Sequence, residues 1–143
     1  PFTNTKDLAA VIAAAIPGKP TPKHKATRCF QALRIEVNSE LDELKQALKS
    51  AIGVLAPQGR LCVISFHSLE DRIVKTFFRE ESEGEKVPSS VPLTSAELDR
   101  LRRQTATLDT VGHAIKASPE ELALNVRSRS ATLRVAERLA AGD

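Results

Sequence analysis

The chain has 143 residues, of which 41% are hydrophobic and 27% are charged. A chain of this length fits one compact domain that buries roughly 68–70% of its unfolded surface, and this composition excludes a disordered or collagen-like protein. The net charge is only +3, but residues 1–35 are basic and residues 80–99 are acidic. Such segregation is compatible both with a polyanionic partner and with ordinary solvated surfaces.

Membrane, disulfide and metal signals are all missing from the sequence. No segment reaches the roughly eighteen apolar residues of a membrane helix, and the N-terminus lacks the pattern of a secretory signal. We therefore expect a cytoplasmic protein without a membrane partner. Cys29 and Cys62 lack CxxC spacing and are predicted to be reduced thiols. The three histidines do not lie at metal-ligand spacing, so no metal site is predicted.

The first part of the chain is predicted to be helical. Apolar residues recur at helical spacing from Leu8 to Ala15, and Pro17–Gly18 ends that segment. The Pro-rich, basic stretch Lys19–Lys25 is predicted to be an extended connector. Further apolar residues then follow at spacings of three and four, at Phe30, Leu33, Val37, Leu41, Leu44, Leu48, Ile52 and Leu55. This pattern predicts one long amphipathic helix from about Thr27 to Leu55.

A strand and a helix are predicted next. The apolar run Leu61–Ile64 does not alternate, which predicts a buried parallel strand over Arg60–Phe66. Ser68, with Asp71 three residues later, resembles a capping box and predicts the start of a helix. A short polar turn therefore connects this strand to this helix.

The remaining elements are predicted from loop, cap and alternation signals. The acidic stretch over residues 80–92 is predicted to be an exposed loop. Thr94 with Glu97 predicts a helix over Ser95–Gln104, and Ser118–Pro119 predicts a short helix to about Asn125. Alternating apolar residues predict a weak strand over about 106–115 and a half-exposed strand over about 131–137.

The polar turn after the first strand holds the main candidate site. Ser65, Phe66, His67 and Ser68 lie there, with Arg72 in the following helix, and active sites of open α/β sheets gather at such strand ends. These side chains could instead only cap the helix and hold the turn, so both interpretations stay open.

A second candidate lies before the last strand. The guanidinium groups of Arg127 and Arg129 could bind phosphates there or could pair with surface carboxylates. The six glycines are isolated, so the chain has no recognisable glycine-rich cofactor loop, and it has no G-x-S-x-G hydrolase motif.

Four blocks of the sequence resemble one known family. Residues 24–41 resemble the stretch HPATRTFQALRI…VN-E-L, residues 55–61 LAPGGRL, residues 64–75 ISFHSLEDRIVK and residues 127–138 RARSAKLRVAER of the bacterial 16S ribosomal RNA cytosine-N4 methyltransferases, the MraW or RsmH family. The blocks occur in the family order. The chain departs from the family pattern at Lys25, Cys29, Gln58 and Val126, which replace proline, threonine, glycine and proline.

The resemblance implies a fold of the α/β class. The chain would hold the C-terminal part of a Rossmann-like S-adenosylmethionine-dependent methyltransferase sheet plus the end of a helical insertion domain. On this view residues 1–45 end the substrate-recognition insertion, and residues 46–143 hold the last three strands. The family's N-terminal half, with the glycine-rich cofactor loop, has no counterpart here, and its absence would leave apolar surface exposed beside strand 60–66.

The resemblance also implies a reaction, a cofactor and a partner. A methyl group would pass from S-adenosylmethionine, bound mainly by the missing half, to N4 of a cytosine in 16S ribosomal RNA of the small ribosomal subunit. The isolated chain would be inactive. His67 is the candidate catalytic residue, by accepting a hydrogen bond from the cytosine amine or by stacking on the flipped base. The candidates for RNA binding are Ser65, Phe66, Ser68, Arg72, Arg127 and Arg129.

Two alternatives belong to other classes. A non-catalytic fragment or RNA-binding module would keep the arginine-bearing surface and transfer nothing. A generic α/β scaffold would dimerise through the open edge of its sheet.

Overall fold

The computed structural model describes residues 2–18, 24–85, 87–88 and 91–140. It divides into two compact units, residues 1–40 and residues 41–143. Most of the predicted connector Lys19–Lys25 lies outside the described residues. The predicted domain boundary near residue 45, and the assignment of the first part to a helical insertion, stay predictions.

The first unit holds two helices, α1 (Thr5–Ala15) and α2 (Thr27–Asn38). Asn4 begins α1, because its side chain accepts a hydrogen bond of 3.0 Å from the backbone N–H of Asp7. Lys25 Nζ donates a hydrogen bond of 2.8 Å to the carbonyl of Ile16, the residue that follows α1. The predicted first helix is confirmed.

The prediction of one long helix is wrong. The chain forms α2 and then α3 (Glu40–Val54), with Ser39 between them in the left-handed conformation at φ 52. Ser39 follows Asn38, and such short polar side chains favour helix ends over helix interiors because they bond to nearby backbone. The apolar spacing continues unchanged across the break, so periodicity alone does not detect one residue with positive φ.

The second unit contains a small sheet with helices after its first strand. Its strands are β1 (Arg60–Ser65), β2 (Leu108–Thr110), β3 (Ile115–Lys116) and β4 (Thr132–Arg138). Its further helices are α4 (Ser68–Glu83), α5 (Ser95–Thr105), α6 (Pro119–Leu124) and a 3₁₀ helix, Val126–Ser130. The helices predicted at Thr94 and Ser118 are confirmed, with both residues as N-caps. Helix α4 reaches Glu83, so the predicted loop over residues 80–92 begins too early.

Strand β4 is the centre of the sheet, and every pairing in the described residues is antiparallel to it. β1 pairs along one side of β4, with Ile64 opposite Leu133, and β2 and β3 also pair with β4. The predicted parallel pairing of β1 is therefore wrong for the described residues, and so is its predicted burial, because Cys62 and Ile64 are exposed. The half-exposed setting predicted for the last strand is confirmed, since most residues of β4 are partly exposed. In this chain the apolar run therefore indicates neither burial on both faces nor strand direction. The predicted strand 106–115 is divided into β2 and β3 by a turn with Gly112 at φ +66.

The core lies on one face of this sheet. Leu48 of α3, Val74 and Phe78 of α4, Leu108 of β2 and Ala136 of β4 form the buried cluster. Phe78 is 2% exposed, and removal of such a side chain costs about 3–5 kcal/mol. Because α4 is held by this cluster, the turn that leads from β1 into α4 is fixed at one end by the core. The mixed helix and strand class predicted for the chain is confirmed.

Candidate functional site

The turn between β1 and α4 is built by its own side chains. His67 is the N-cap of α4, because its Nδ1 accepts the backbone N–H of Glu70 over 3.3 Å. The Glu70 carboxylate reaches back and accepts the backbone N–H groups of Phe66 at 2.8 Å and His67 at 3.2 Å. This is a capping box, but it uses His67 and Glu70 instead of the predicted Ser68 and Asp71. Ser68 is the first residue of α4 and is exposed.

This cap fixes the tautomer of His67. Because Nδ1 accepts a hydrogen bond, the neutral ring carries its proton on Nε2. Nε2 is buried and makes no hydrogen bond with the described residues, although it lies 3.2 Å from Glu70 Oε1. The side chain is 14% exposed. With the cap intact, Nδ1 is engaged and Nε2 is buried, so the ring has no free acceptor nitrogen for a cytosine amine.

Asp71 and Arg134 form a two-pronged ion pair next to the turn. Arg134 Nε lies 2.8 Å from Asp71 Oδ1, and Arg134 Nη2 lies 3.0 Å from Asp71 Oδ2. The hydrogen bonds from Arg134 hold the pKa of Asp71 below its ordinary value, and those same bonds raise the pKa of Arg134. This pair joins the first turn of α4 to the central strand β4.

Two further polar side chains complete this cluster. Ser65 Oγ is buried, 3.5 Å from Asp71 Oδ1 and 3.4 Å from the carbonyl of Thr132. Lys116 of β3 donates to the hydroxyl of Thr132, and its positive charge also lowers the pKa of Asp71. The sequence prediction missed the roles of Glu70, Asp71 and Arg134. All three lie within the blocks of family resemblance, which was the signal available for them.

The other candidate residues are distributed over two places. Phe66 is 56% exposed beside the cap, and Arg72 is exposed on α4 without an ion pair to any residue that the structure describes. Arg127 and Arg129 are exposed in the 3₁₀ helix. Across the described ranges, no hydrogen bond or ion pair joins these two arginines to the β1–α4 turn. The turn therefore gathers Ser65, Phe66, His67 and Ser68, while the arginine pair lies on a separate element.

The β1–α4 turn does not have the form of a glycine-rich cofactor turn. Strand-to-helix turns that hold such a cofactor use glycines so that free backbone N–H groups approach the ligand. In the β1–α4 turn, the backbone N–H groups of Phe66 and His67 already donate to Glu70. The positions that glycine fills in a cofactor turn carry large side chains here, so no step is assigned to the cofactor on these residues.

Membrane-spanning and metal-binding features are absent from the described part of the chain. No helix there is long and apolar enough to cross a membrane. Residues 2–18, 24–85, 87–88 and 91–140 contain no group of three or more His, Cys, Asp or Glu side chains placed to hold a metal ion.

Comparison with known proteins identifies the family. The chain is 58% identical over 139 residues to the ribosomal RNA small subunit methyltransferase H of Shewanella loihica, 55% identical to that of Shewanella pealeana and 57% identical to that of Shewanella violacea. Each alignment covers 97% of this chain and 43% of the relative, so the chain spans less than half the length of these proteins. Residues 1–139 match the MraW methylase family. The chain therefore belongs to the MraW methylase family, as its four sequence blocks predict.

Proposed function

We propose that this chain is part of a methyltransferase that moves a methyl group from S-adenosylmethionine to N4 of a cytosine in 16S ribosomal RNA. The observation that carries this proposal is the match of residues 1–139 to the MraW methylase family. The named relatives are small-subunit ribosomal RNA methyltransferases. The small ribosomal subunit in the cytoplasm is the corresponding partner.

In this proposal the β1–α4 turn positions the target base. The exposed ring of Phe66 offers a stacking surface for a base that has left its helix. His67 contributes the exposed part of its ring, which is held in place by the hydrogen bond with Glu70. Orientation of the amine towards the methyl donor is the main catalytic requirement, because the amine lone pair is delocalised into the cytosine ring.

The arginines extend the contact to the RNA backbone. Arg72, Arg127 and Arg129 are exposed, and guanidinium groups pair well with phosphate oxygens. Ser65 supports the turn, since its buried hydroxyl contacts Asp71 and the carbonyl of Thr132. Ser68 lies at the exposed start of α4, where its hydroxyl is available to the RNA.

Cofactor binding is proposed to come mainly from residues outside this chain. The backbone N–H groups of the β1–α4 turn are used by Glu70, and the chain has no glycine-rich loop. The same observation favours the alternative function, an RNA-binding module that transfers no methyl group by itself.

A chimaera tests the proposal. Residues 1–139 replace the matching 43% of the Shewanella loihica relative, and transfer of labelled methyl groups to small-subunit RNA is measured. We expect transfer by the chimaera and none by the chain alone. Calorimetric titration of the chain alone with S-adenosylmethionine is expected to give no binding in the micromolar range.

The unaltered relative is the control for this experiment. A folded chimaera that fails to methylate RNA would contradict the proposed activity and leave the RNA-binding module. Tight binding of S-adenosylmethionine by the chain alone would contradict the assignment of the cofactor site to other residues.

A further inference from the structure

A basic surface cavity lies between α4 and the turn that joins β2 to β3. Its volume is about 250 Å³, and its positively charged lining comes from Lys75, Arg79 and Arg134, with His113 beside them. Among the described residues, no aspartate or glutamate lines it. Lys75, Arg79 and His113 are exposed, whereas the guanidinium of Arg134 is occupied by Asp71. We call this cavity the α4 groove.

The cations of α4 form a row along the helix. Arg72, Lys75 and Arg79 are spaced three and four residues apart, so they share one face of the helix. Lys75 and Arg79 are about 6 Å apart along the helix axis at 1.5 Å per residue. A row of this kind is able to contact successive charges of an extended polyanion.

The positive charges of the row are largely unpaired. Arg72 and Lys75 make no ion pair with any described residue, and Arg79 approaches Glu83 only at 4.0 Å. Asp109 lies in β2 next to the groove, but its partner in β4 is Glu137. Because side chains alternate across a strand, Asp109 and Glu137 lie on the face opposite to Thr110, which lines the groove.

We infer that the α4 groove binds the phosphate backbone of the RNA strand whose base enters the β1–α4 turn. This inference rests on the proposed function. Arg134 links the two places, since it lines the groove and also holds Asp71, the residue after Glu70. The phenyl ring of Phe78 in the groove wall is 2% exposed, so it offers bases no stacking surface. The groove therefore positions the strand, and the turn contacts the base.

The chain itself serves for the binding test. Fluorescence anisotropy with a labelled single-stranded RNA oligonucleotide compares Lys75→Gln and Arg79→Gln with Lys49→Gln. Lys49 is exposed on α3, outside the groove, so it controls for removal of one charge. We expect each groove variant to weaken binding about five-fold. Each should also flatten the slope of log K against log salt by about 0.7, because one cation no longer neutralises a phosphate. The Lys49→Gln variant is expected to match the parent chain.

Three results would overturn the inference. The first is that the chain does not bind RNA. The second is that Lys49→Gln weakens RNA binding as much as Lys75→Gln does. The third is that polyglutamate at matched charge competes for the chain as well as RNA does, which would indicate an acidic protein partner. Thermal melts identify any misfolded variant. The Lys75→Arg variant, which retains the charge, is expected to bind RNA as the parent chain does.

The groove and the proposed activity are tested separately. RNA binding through the groove with no methyl transfer by the chimaera would contradict the activity alone. Methyl transfer that is insensitive to Lys75→Gln and Arg79→Gln would contradict the groove alone.

Discussion

Two substitutions separate the contribution of the His67 ring from that of its N-cap hydrogen bond. Asparagine is a good N-cap residue, whereas alanine is a poor one. His67→Asn therefore keeps the cap and removes the ring, and His67→Ala removes both. We expect both changes to lower methyl transfer by the chimaera at least about tenfold, equivalent to about 1.4 kcal/mol. Only His67→Ala should also lower the free energy of unfolding, by about 1 kcal/mol.

One result would contradict a catalytic role for the His67 ring. If His67→Asn transfers methyl groups at the parent rate, the residue acts only as the cap that the structure describes. Affinity of the chimaera for S-adenosylmethionine serves as the control, because neither substitution touches the cofactor in this proposal.

The Asp71–Arg134 pair makes stability depend on pH. The pKa of Asp71 is lowered in the folded state mainly by hydrogen bonds from Arg134. Its stabilisation is therefore complete above the ordinary value near 3.8 and is lost as the pH falls through the lower native value. We expect Asp71→Asn to cost about 1–3 kcal/mol at pH 7 and to flatten the pH dependence of unfolding below pH 4.

Urea titrations at several pH values measure this effect. Asp42→Asn is the matched control, because Asp42 is 81% exposed in its pair with Lys45 and such surface pairs contribute little. An equal effect of the two substitutions would contradict a special role for the Asp71–Arg134 pair.

At the scale of single elements, the turn before β1 carries an unfavourable residue. Gln58 has φ 63, a conformation that costs a non-glycine residue roughly 1–2 kcal/mol. The family pattern LAPGGRL has glycine at this position. We expect Gln58→Gly to raise the free energy of unfolding by about 0.5–1 kcal/mol, measured by urea unfolding of the chain.

A matched substitution in a helix should act in the opposite direction. Gln46 is exposed within α3, and Gln46→Gly is expected to lower stability by up to about 1 kcal/mol. Destabilisation by Gln58→Gly would show that the side chain of Gln58 contributes more than its backbone strain costs.

The elements that the sequence predicted well are those with local chemical signals. The helices beginning after Asn4, Thr94 and Ser118 each have a short polar N-cap. Such caps can be recognised from four consecutive residues of the sequence. At the β1–α4 turn two overlapping pairs were possible, Ser68 with Asp71 and His67 with Glu70. The chain uses the second pair because Asp71 is engaged by Arg134, 63 residues away, and no local pattern reports that interaction.

At the scale of the whole molecule, sequence blocks predicted the family better than periodicity predicted the topology. The four blocks agree with the family match over residues 1–139. Strand direction was not predictable, because the apolar run of β1 is the same for either direction of its partner. One face of the sheet also stays open in the described residues, since Ile64 is 57% and Ile115 55% exposed. This agrees with the expectation of exposed apolar surface near that strand.

The central position of β4 has a consequence for synthesis on the ribosome. Every pairing of the described sheet involves residues 132–138, so no sheet hydrogen bond forms until that segment has left the exit tunnel. At about 5–20 residues per second, β1 waits several seconds for β4. During that interval the apolar run Leu61–Ile64 is accessible to chaperones, proteases and other nascent chains. These pairings therefore form late, when β4 emerges.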